Sequence, residues 1–344
     1  MVWVANPWSL NPRSRVPSLS VRAQGGGMRV IFWAVVVWAV VMLGVAWLSP
    51  RPSATPAAQG YSTPAAYPEP QPVSAAPAWG EPPPEACSDA PAFGAAAARN
   101  AADLDGLSWM PYGPPETGWR TYAPRIAVEI ASGCAWDSPG FANALAGWQR
   151  AHGRPPTGVM DPETFNIMKV RWHLLRPFVV LSRGGGCPPA PPPETLVPAR
   201  PEEAYGDRPM LLRADALAAF RRMVADARAA DPAIARDRQA LRIFSAYRSP
   251  IENDVTCLLN GGCDNVGRAP CSAHRTGLAF DIVVGASPGG RVDSSDNANR
   301  LAQSQTPAYR WLVRNAGRYG FVNYVYEPWH WEWSPPEQRG ATRA

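Results

Sequence analysis

Histidine and clustered basic residues are both scarce in this sequence. Of its 344 residues only 4 are histidine, and the 33 Lys and Arg residues are scattered along the chain. No run combines basic residues with interleaved aromatic residues, so the sequence predicts no nucleic-acid partner. The net charge of +5 and the pI near 9.0 would instead suit an anionic surface such as a cell wall or lipid headgroups.

Charged residues are absent from a stretch of 19 residues, Val30–Leu48, which as a helix is long enough to cross a hydrocarbon core of ~30 Å. Four arginines precede this stretch, at positions 13, 15, 22 and 29. The positive-inside rule therefore predicts a cytoplasmic segment over residues 1–29, a transmembrane signal anchor over 30–48, and a periplasmic, extracytoplasmic location for the rest. Cleavage around Ala54–Ala58, which would give a secreted protein, and a start at Met28 stay open as alternatives.

Cysteine is also infrequent, and its 6 residues would all lie in an oxidising compartment, where an even number predicts disulfides. The sequence leaves the pairing open. Cys257, Cys263 and Cys271 lie close together before His274, so we expect at least one bridge to fasten that loop. The alternative is that Cys271 supplies a thiolate to a metal ion near His274.

Proline, by contrast, is abundant, and two Pro-rich stretches divide the chain. Residues 49–100, rich in Pro and Ala, predict an extended and largely disordered linker, and residues 181–204 predict a second linker between two patterned regions. The sequence predicts a small all-α domain over residues 101–180. The pattern from 205 to 338 is that of an α+β domain.

The region 101–180 contains two helical patterns. Phe141, Leu145 and Trp148 lie at i, i+4 and i+7, and Asp161-Pro162 supplies an N-cap and a first-turn proline for the next helix. The stretch from Trp148-Gln149-Arg150 to Pro156-Thr157-Gly158-Val159-Met160-Asp161-Pro162-Glu163-Thr164 resembles the small helical peptidoglycan-binding domain. This resemblance implies binding to the cell wall, although caps, turns and core packing account for each residue singly. We interpret His152 and His173 as ordinary surface or core residues.

The α+β region begins with an amphipathic helix through Leu217 and Phe220, which is predicted to end before Asp231-Pro232. Strands are predicted at 241–245, at 278–284, and from Phe321 onward, and a helix is predicted at 308–319. On the second strand, Leu278, Phe280 and Ile282 share one face, so Asp281 points to the other face and towards a site.

Two short segments, 272–281 and 327–333, supply the groups that a catalytic zinc site needs. They offer two imidazoles and a carboxylate as ligands, from His274, Asp281 and His330. Three protein ligands leave a coordination position for water, whose pKa zinc can lower to ~7. The pattern therefore predicts a Zn²⁺ cofactor, with Glu327 as a nearby carboxylate.

Period-two alternation in residues 329–333 places three tryptophans on one face of a strand, and His330 with Glu332 on the face towards a cleft. Glu332 is expected to orient the imidazole of His330, or else to be a solvated charge. Glu327 precedes a proline, which disfavours helix and predicts a turn. From a turn, Glu327 could act as general base; its alternative role is that of a surface glutamate.

Three segments in order, Ser245-Ala246-Tyr247-Arg248-Ser249, Ser272 to Asp281, and Glu327-Pro328-Trp329-His330-Trp331, resemble the VanY-like D-alanyl-D-alanine carboxypeptidases of the LAS zinc metallopeptidase superfamily. The resemblance covers residues 205–336 and implies a LAS/hedgehog-type fold with a central antiparallel sheet. It also implies zinc held by His274, Asp281 and His330, with Glu327 as catalytic base.

The same resemblance implies that Arg248 reaches the scissile carbonyl or a substrate carboxylate, and that Ser272 helps to hold the terminal carboxylate. Tyr247 is expected to contact substrate. So is Asn253, where the family often has glutamine. A surface salt bridge is the alternative for Arg248.

The expected activity is hydrolysis of the terminal amide of peptidoglycan stem peptides. An endopeptidase or an L,D-carboxypeptidase with the same zinc site, and a non-catalytic protein that tethers the membrane to the wall, stay open.

Overall fold

The computed structural model describes residues 87, 89–183, 186–259, 262 and 271–336. All of these residues belong to one compact unit, Pro70–Ala344. Within that described part of the chain, no helix is both long and apolar enough to cross a membrane. The predicted segments 1–29 and 30–48 lie outside it, so the anchor and the membrane partner stay predictions.

The described residues form a mixture of helices and small antiparallel sheets. The first part contains α1 (Gly94–Gly106), β1 (Ser108–Trp109), β2 (Glu116–Thr117), α2 (Ala123–Glu129), α3 (Pro139–Ala151), α4 (Pro162–Leu174) and α5 (Pro177–Leu181). The second part contains β3 (Leu196–Pro198), β4 (Leu211–Arg213), α6 (Ala214–Ala230), α7 (Pro232–Arg236), β5 (Ile243–Ser245), α8 (Pro250–Leu259), β6 (Ala279–Ile282), α9 (Asn297–Ser304), α10 (Pro307–Asn315), β7 (Phe321–Asn323) and β8 (His330–Trp333).

The structure differs from the predicted linker over its last residues, because helix α1 begins at Gly94. The run Gly94–Gly106 is rich in alanine, which is the strongest helix former. The low-complexity composition of residues 49–100 therefore predicted disorder where the last of these residues form a helix. The buried side chain of Asn100 then fastens α1 to the turn before α4: its Nδ2 donates to the carbonyl of Gly158, and its Oδ1 accepts from the N–H of Met160, both at 2.8 Å.

The helical region follows its predicted caps. Ser138 and Asp161 cap α3 and α4 by accepting from the N–H groups of Phe141 and Thr164. Phe141, with Leu145 and Trp148, is buried in this region's core, as the periodicity predicts. The prediction of an all-α region is wrong in one respect, since β1 and β2 pair within it. Sequence reasoning had no signal for a ladder only two residues long.

A four-stranded antiparallel sheet in the order β5-β6-β8-β7 carries the candidate site. Leu278, Phe280 and Ile282 lie in the apolar core, together with Trp329, Trp331 and Trp333, as the alternation predicts. Because β6 pairs with β8 in a register that sets Phe280 opposite Trp331, Asp281 lies directly opposite His330. Helix α10 continues as a 3₁₀ turn, which ends at Gly320 with a left-handed φ of 92°.

Disulfides fasten both regions. One disulfide joins Cys87 to Cys134, and another joins Cys187 to Cys271, so the expected bridge to the loop before His274 is confirmed. Cys257 is also disulfide-bonded. The thiolate alternative for Cys271 is wrong because its sulfur is in a bridge.

A buried ion pair joins the helical region to the α+β region. Arg300 on α9, 0% exposed, donates from Nη1 to Oε1 of Glu116 at 2.9 Å, and Glu116 on β2 is 6% exposed. The hydroxyl of Tyr122 donates to the same carboxylate and accepts from Nη2 of Arg300. Nε of Arg300 donates to the carbonyl of Tyr326 at 2.7 Å, next to Glu327. The two regions are therefore held together beside the candidate site.

Replacing Glu116 with alanine is expected to lower the free energy of unfolding by ~3–5 kcal/mol, because it leaves the Arg300 guanidinium buried without its anion. Denaturant unfolding monitored by tryptophan fluorescence measures the change. The control is Glu202→Ala, since the contact of Glu202 with Arg200 is exposed and should be worth no more than ~1 kcal/mol. Equal effects of the two substitutions would contradict the prediction.

Candidate metal centre

His274 lies in a 3₁₀ turn, Ala273–Thr276, immediately before β6. The hydroxyl of Ser272 caps this turn by accepting from the N–H of His274 at 3.3 Å. Gly277 ends the turn with φ 66°, a backbone conformation that residues other than glycine rarely adopt. Nδ1 of His274 lies 2.8 Å from the carbonyl oxygen of Ala246, which can only accept. Nδ1 therefore carries the proton, and Nε2 is the nitrogen that remains for a metal.

The structure brings His274, Asp281 and His330 together. Nε2 of His274 lies 3.2 Å from Oδ2 of Asp281, and Nδ1 of His330 lies 2.9 Å from Oδ1 of the same carboxylate. One ligand atom from each residue lies within 4.8 Å of the others, and all three residues are buried. Two nitrogens and one carboxylate are a donor set that suits catalytic zinc.

The electrostatics of the three residues are those of a cation site. Burial alone would raise the pKa of Asp281, but the neighbouring His274 and His330 hold it well below its usual range. Burial lowers the pKa of His274. It also acts to lower the pKa of His330, but the hydrogen bonds of His330 to Asp281 and Glu332 outweigh burial and raise this pKa to about 9. The imidazole of His330 thus lies between two anions, where a metal ion could replace its Nδ1 proton.

Glu332 orients His330, with its Oε1 at 3.3 Å from Nε2 of the imidazole. The alternative of a solvated charge is wrong, and so is the expectation that this face opens onto a cleft at Glu332, because the residue is 1% exposed. The segment between α4 and α5 shields the carboxylate of Glu332 from solvent. Arg176 donates from Nε to Oε1 at 2.7 Å, and the N–H of Phe178 donates to Oε2 at 2.8 Å. Burial alone would raise the pKa of Glu332, but the Arg176 charge, the contact with His330 and the hydrogen bond from the Phe178 N–H together outweigh it and lower this pKa to about 2.

Glu327 begins a turn, as its proline predicts, and the N–H of His330 donates to its carbonyl at 3.0 Å. The residue is half-buried, and desolvation raises its pKa to about 7. Asn323 clamps this turn: its Nδ2 donates to the carbonyls of Glu327 and His330, at 3.1 and 2.8 Å. Sequence reasoning missed Asn323, because its partners are backbone carbonyls rather than a recognisable side-chain pattern.

The predicted substrate residues are distributed around the centre. The N–H of Arg248 donates to the carbonyl of His274 at 3.3 Å, and its half-buried guanidinium lies close enough for its charge to lower the pKa of His274. Tyr247 is also half-buried. Asn253 is 3% exposed on α8, and Ser272 is the cap of the His274 turn. Contact of these residues with a substrate stays a prediction.

Two family models match the chain in the order that the motifs indicate. Residues 264–336 are similar to the VanY family, described as D-alanyl-D-alanine carboxypeptidase, and residues 136–168 are similar to the putative peptidoglycan binding domain. No curated protein matches the sequence. The first match contains all three candidate ligands and Glu327, whereas Tyr247, Arg248 and Asn253 precede it. Together the two matches support a peptidase that acts on peptidoglycan.

Proposed function

We propose that this chain is a zinc-dependent D-alanyl-D-alanine carboxypeptidase that hydrolyses the terminal amide of peptidoglycan stem peptides. The observation that carries the proposal is the convergence of His274, Asp281 and His330 on one buried point, inside the segment that matches VanY. The similarity of residues 136–168 to a wall-binding domain supports peptidoglycan as the substrate.

Zinc bound at this point would polarise the scissile carbonyl and acidify a coordinated water. Glu327 takes the proton of the attacking water and then gives it to the leaving amine. Burial of Glu327, which raises its pKa from the ordinary value, suits this task, because an effective general base has a pKa near the working pH. Arg248 donates to the oxyanion that develops on the former carbonyl, or to the terminal carboxylate of the peptide.

Replacing Arg248 with alanine is expected to lower kcat/KM by ~100- to 1,000-fold, the usual effect of losing one donor to an oxyanion. Zinc content should stay that of the wild type, since the hydrogen bond of Arg248 to the carbonyl of His274 comes from its backbone N–H, which the substitution keeps. Steady-state kinetics on a pentapeptide measure the effect. Arg208→Ala, at an arginine of the same region for which no catalytic role is predicted, serves as the control. Wild-type kinetics in the Arg248 variant would remove the residue from the mechanism.

The test of the function is a digest of purified muropeptides followed by mass spectrometry, together with metal analysis of the protein. Release of free D-alanine from pentapeptides, lost on chelation and restored by zinc, is expected. Cleaved cross-links would indicate an endopeptidase, and shortened tetrapeptides an L,D-carboxypeptidase. Binding to sacculi without any hydrolysis or bound zinc would leave the chain as a tether and refute the proposal.

The predicted anchor over residues 30–48 would place this enzyme on the outer side of the membrane, where its substrate lies. The disulfides at Cys134 and Cys271 support such a compartment.

A further inference from the structure

We propose that Arg176, which belongs to the helical region 101–180, is a positioning residue for the metal centre and acts through Glu332 on the ligand His330. The inference rests on the proposed function, since it takes His330 to be a zinc ligand. It assigns to the helical region a role in building the catalytic site, in addition to any binding of the wall.

The first step concerns the two hydrogen-bond donors that the segment between α4 and α5 places beside Glu332. Arg176 lies between α4 and α5 in an extended conformation, φ −65° and ψ 127°, as expected for a residue before proline. Its Nε donates to Oε1 of Glu332, while the N–H of Phe178 donates to Oε2. Both carboxylate oxygens are thus held by one short segment that is more than 150 residues away in sequence.

The second step is the way in which Glu332 fixes the imidazole. Its Oε1 faces Nε2 of His330, and a carboxylate can only accept, so Nε2 carries a proton there. That leaves Nδ1, which points at Asp281, as the nitrogen available to zinc. Partners of this kind fix both the tautomer and the orientation of a ligand histidine.

The third step is that the ion pair of Arg176 and Glu332 is buried. Glu332 is 1% exposed and the side chain of Arg176 11%, so water is largely excluded from the pair. The guanidinium is also held over the ring of Tyr324, 4.1 Å from its centroid, and that ring meets the imidazole of His330 edge-on. Loss of Arg176 would therefore leave the buried carboxylate of Glu332 without its cation, and this carboxylate would orient the imidazole of His330 less firmly.

The experiment measures zinc affinity by competition with a chromophoric chelator, on the full chain, together with apparent melting temperatures with and without zinc. Glu332→Gln is expected to weaken zinc binding by about 10- to 100-fold, as loss of an outer-shell partner typically does. Arg176→Met should weaken it by about 10-fold, and Arg176→Lys, which keeps the charge but not the planar donor geometry, by less. The double variant Arg176→Met/Glu332→Gln should bind zinc no more weakly than Glu332→Gln alone.

The matched control is Arg171→Met. Arg171 lies on α4 and pairs with Glu129 inside the helical region at 3.3 Å, so its loss should leave zinc affinity unchanged. Equal weakening by Arg171→Met and Arg176→Met would overturn the proposal, because the effect would then be general destabilisation. Additive losses in the double variant would also overturn it, since the two residues would act independently.

Failure of the inference is distinguishable from failure of the proposed function. If the wild type binds zinc and hydrolyses muropeptides but Arg176→Met keeps its zinc affinity within about twofold, only the inference fails. If the wild type binds no zinc, the proposed function fails and the inference fails with it. Should Arg176→Met not fold, the double variant decides, because it leaves no unpaired charge: wild-type affinity there would refute the proposal.

Discussion

Replacing His274 with alanine is expected to abolish both zinc binding and peptide hydrolysis. The substitution removes Nε2, which belongs to one of the three residues that meet at the site within the described part of the chain. It also leaves the carbonyl of Ala246 without the N–H that it accepts at 2.8 Å, and leaves Asp281 with a single imidazole neighbour. Metal analysis should therefore find zinc falling from about one ion per chain to near zero, with D-alanine release below detection.

His152→Ala is the matched control for this substitution. His152 stacks on Trp148 within the helical region and is not among the residues that meet at the metal centre. That variant should keep both its zinc and its activity. An equimolar zinc content in purified His274→Ala would show that the metal lies elsewhere.

Replacing Glu327 with glutamine should separate chemistry from metal binding. Glutamine keeps the shape of the side chain and the turn that Asn323 clamps, but it cannot accept a proton. The expected result is a fall in kcat by ~100- to 10,000-fold, the range that general acid–base catalysis contributes, with zinc content unchanged. Glu327→Ala, which removes the carboxylate altogether, should abolish turnover. Kinetics on a pentapeptide and metal analysis of the same preparations measure both quantities.

Glu163→Gln provides the control for the loss of a carboxylate, since Glu163 lies on the exposed face of α4 and should leave kcat unaffected. Wild-type-like hydrolysis by Glu327→Gln would require another base. Loss of zinc from that variant would instead make Glu327 a ligand.

Some features of this site could be predicted because each of them depends on residues that are close together in the sequence. The alternation that sends Asp281 away from the core, and the proline that turns the chain after Glu327, are visible within ten residues of sequence. The helix caps at Ser138 and Asp161 are local in the same sense. Such signals survive without any knowledge of tertiary structure.

The contacts between the regions could not be predicted, because no spacing relates their partners. Arg176 and Glu332 belong to stretches with different patterns, and so do Glu116 and Arg300. The Pro-rich stretch between the regions favoured separate domains, yet part of it is ordered, with Leu196–Pro198 paired to β4. Buried ion pairs between such distant residues are visible only in the folded chain.

The buried pair of Arg300 and Glu116 has a consequence for modular exchange. Separating the two regions would leave each of them without the partner of a charge that is buried at their contact. A truncated chain beginning at Tyr205 would carry Arg300 without Glu116 and Glu332 without Arg176. A functional chimera would therefore need both partners of each ion pair. We expect the helical region and the α+β region to be exchanged only together.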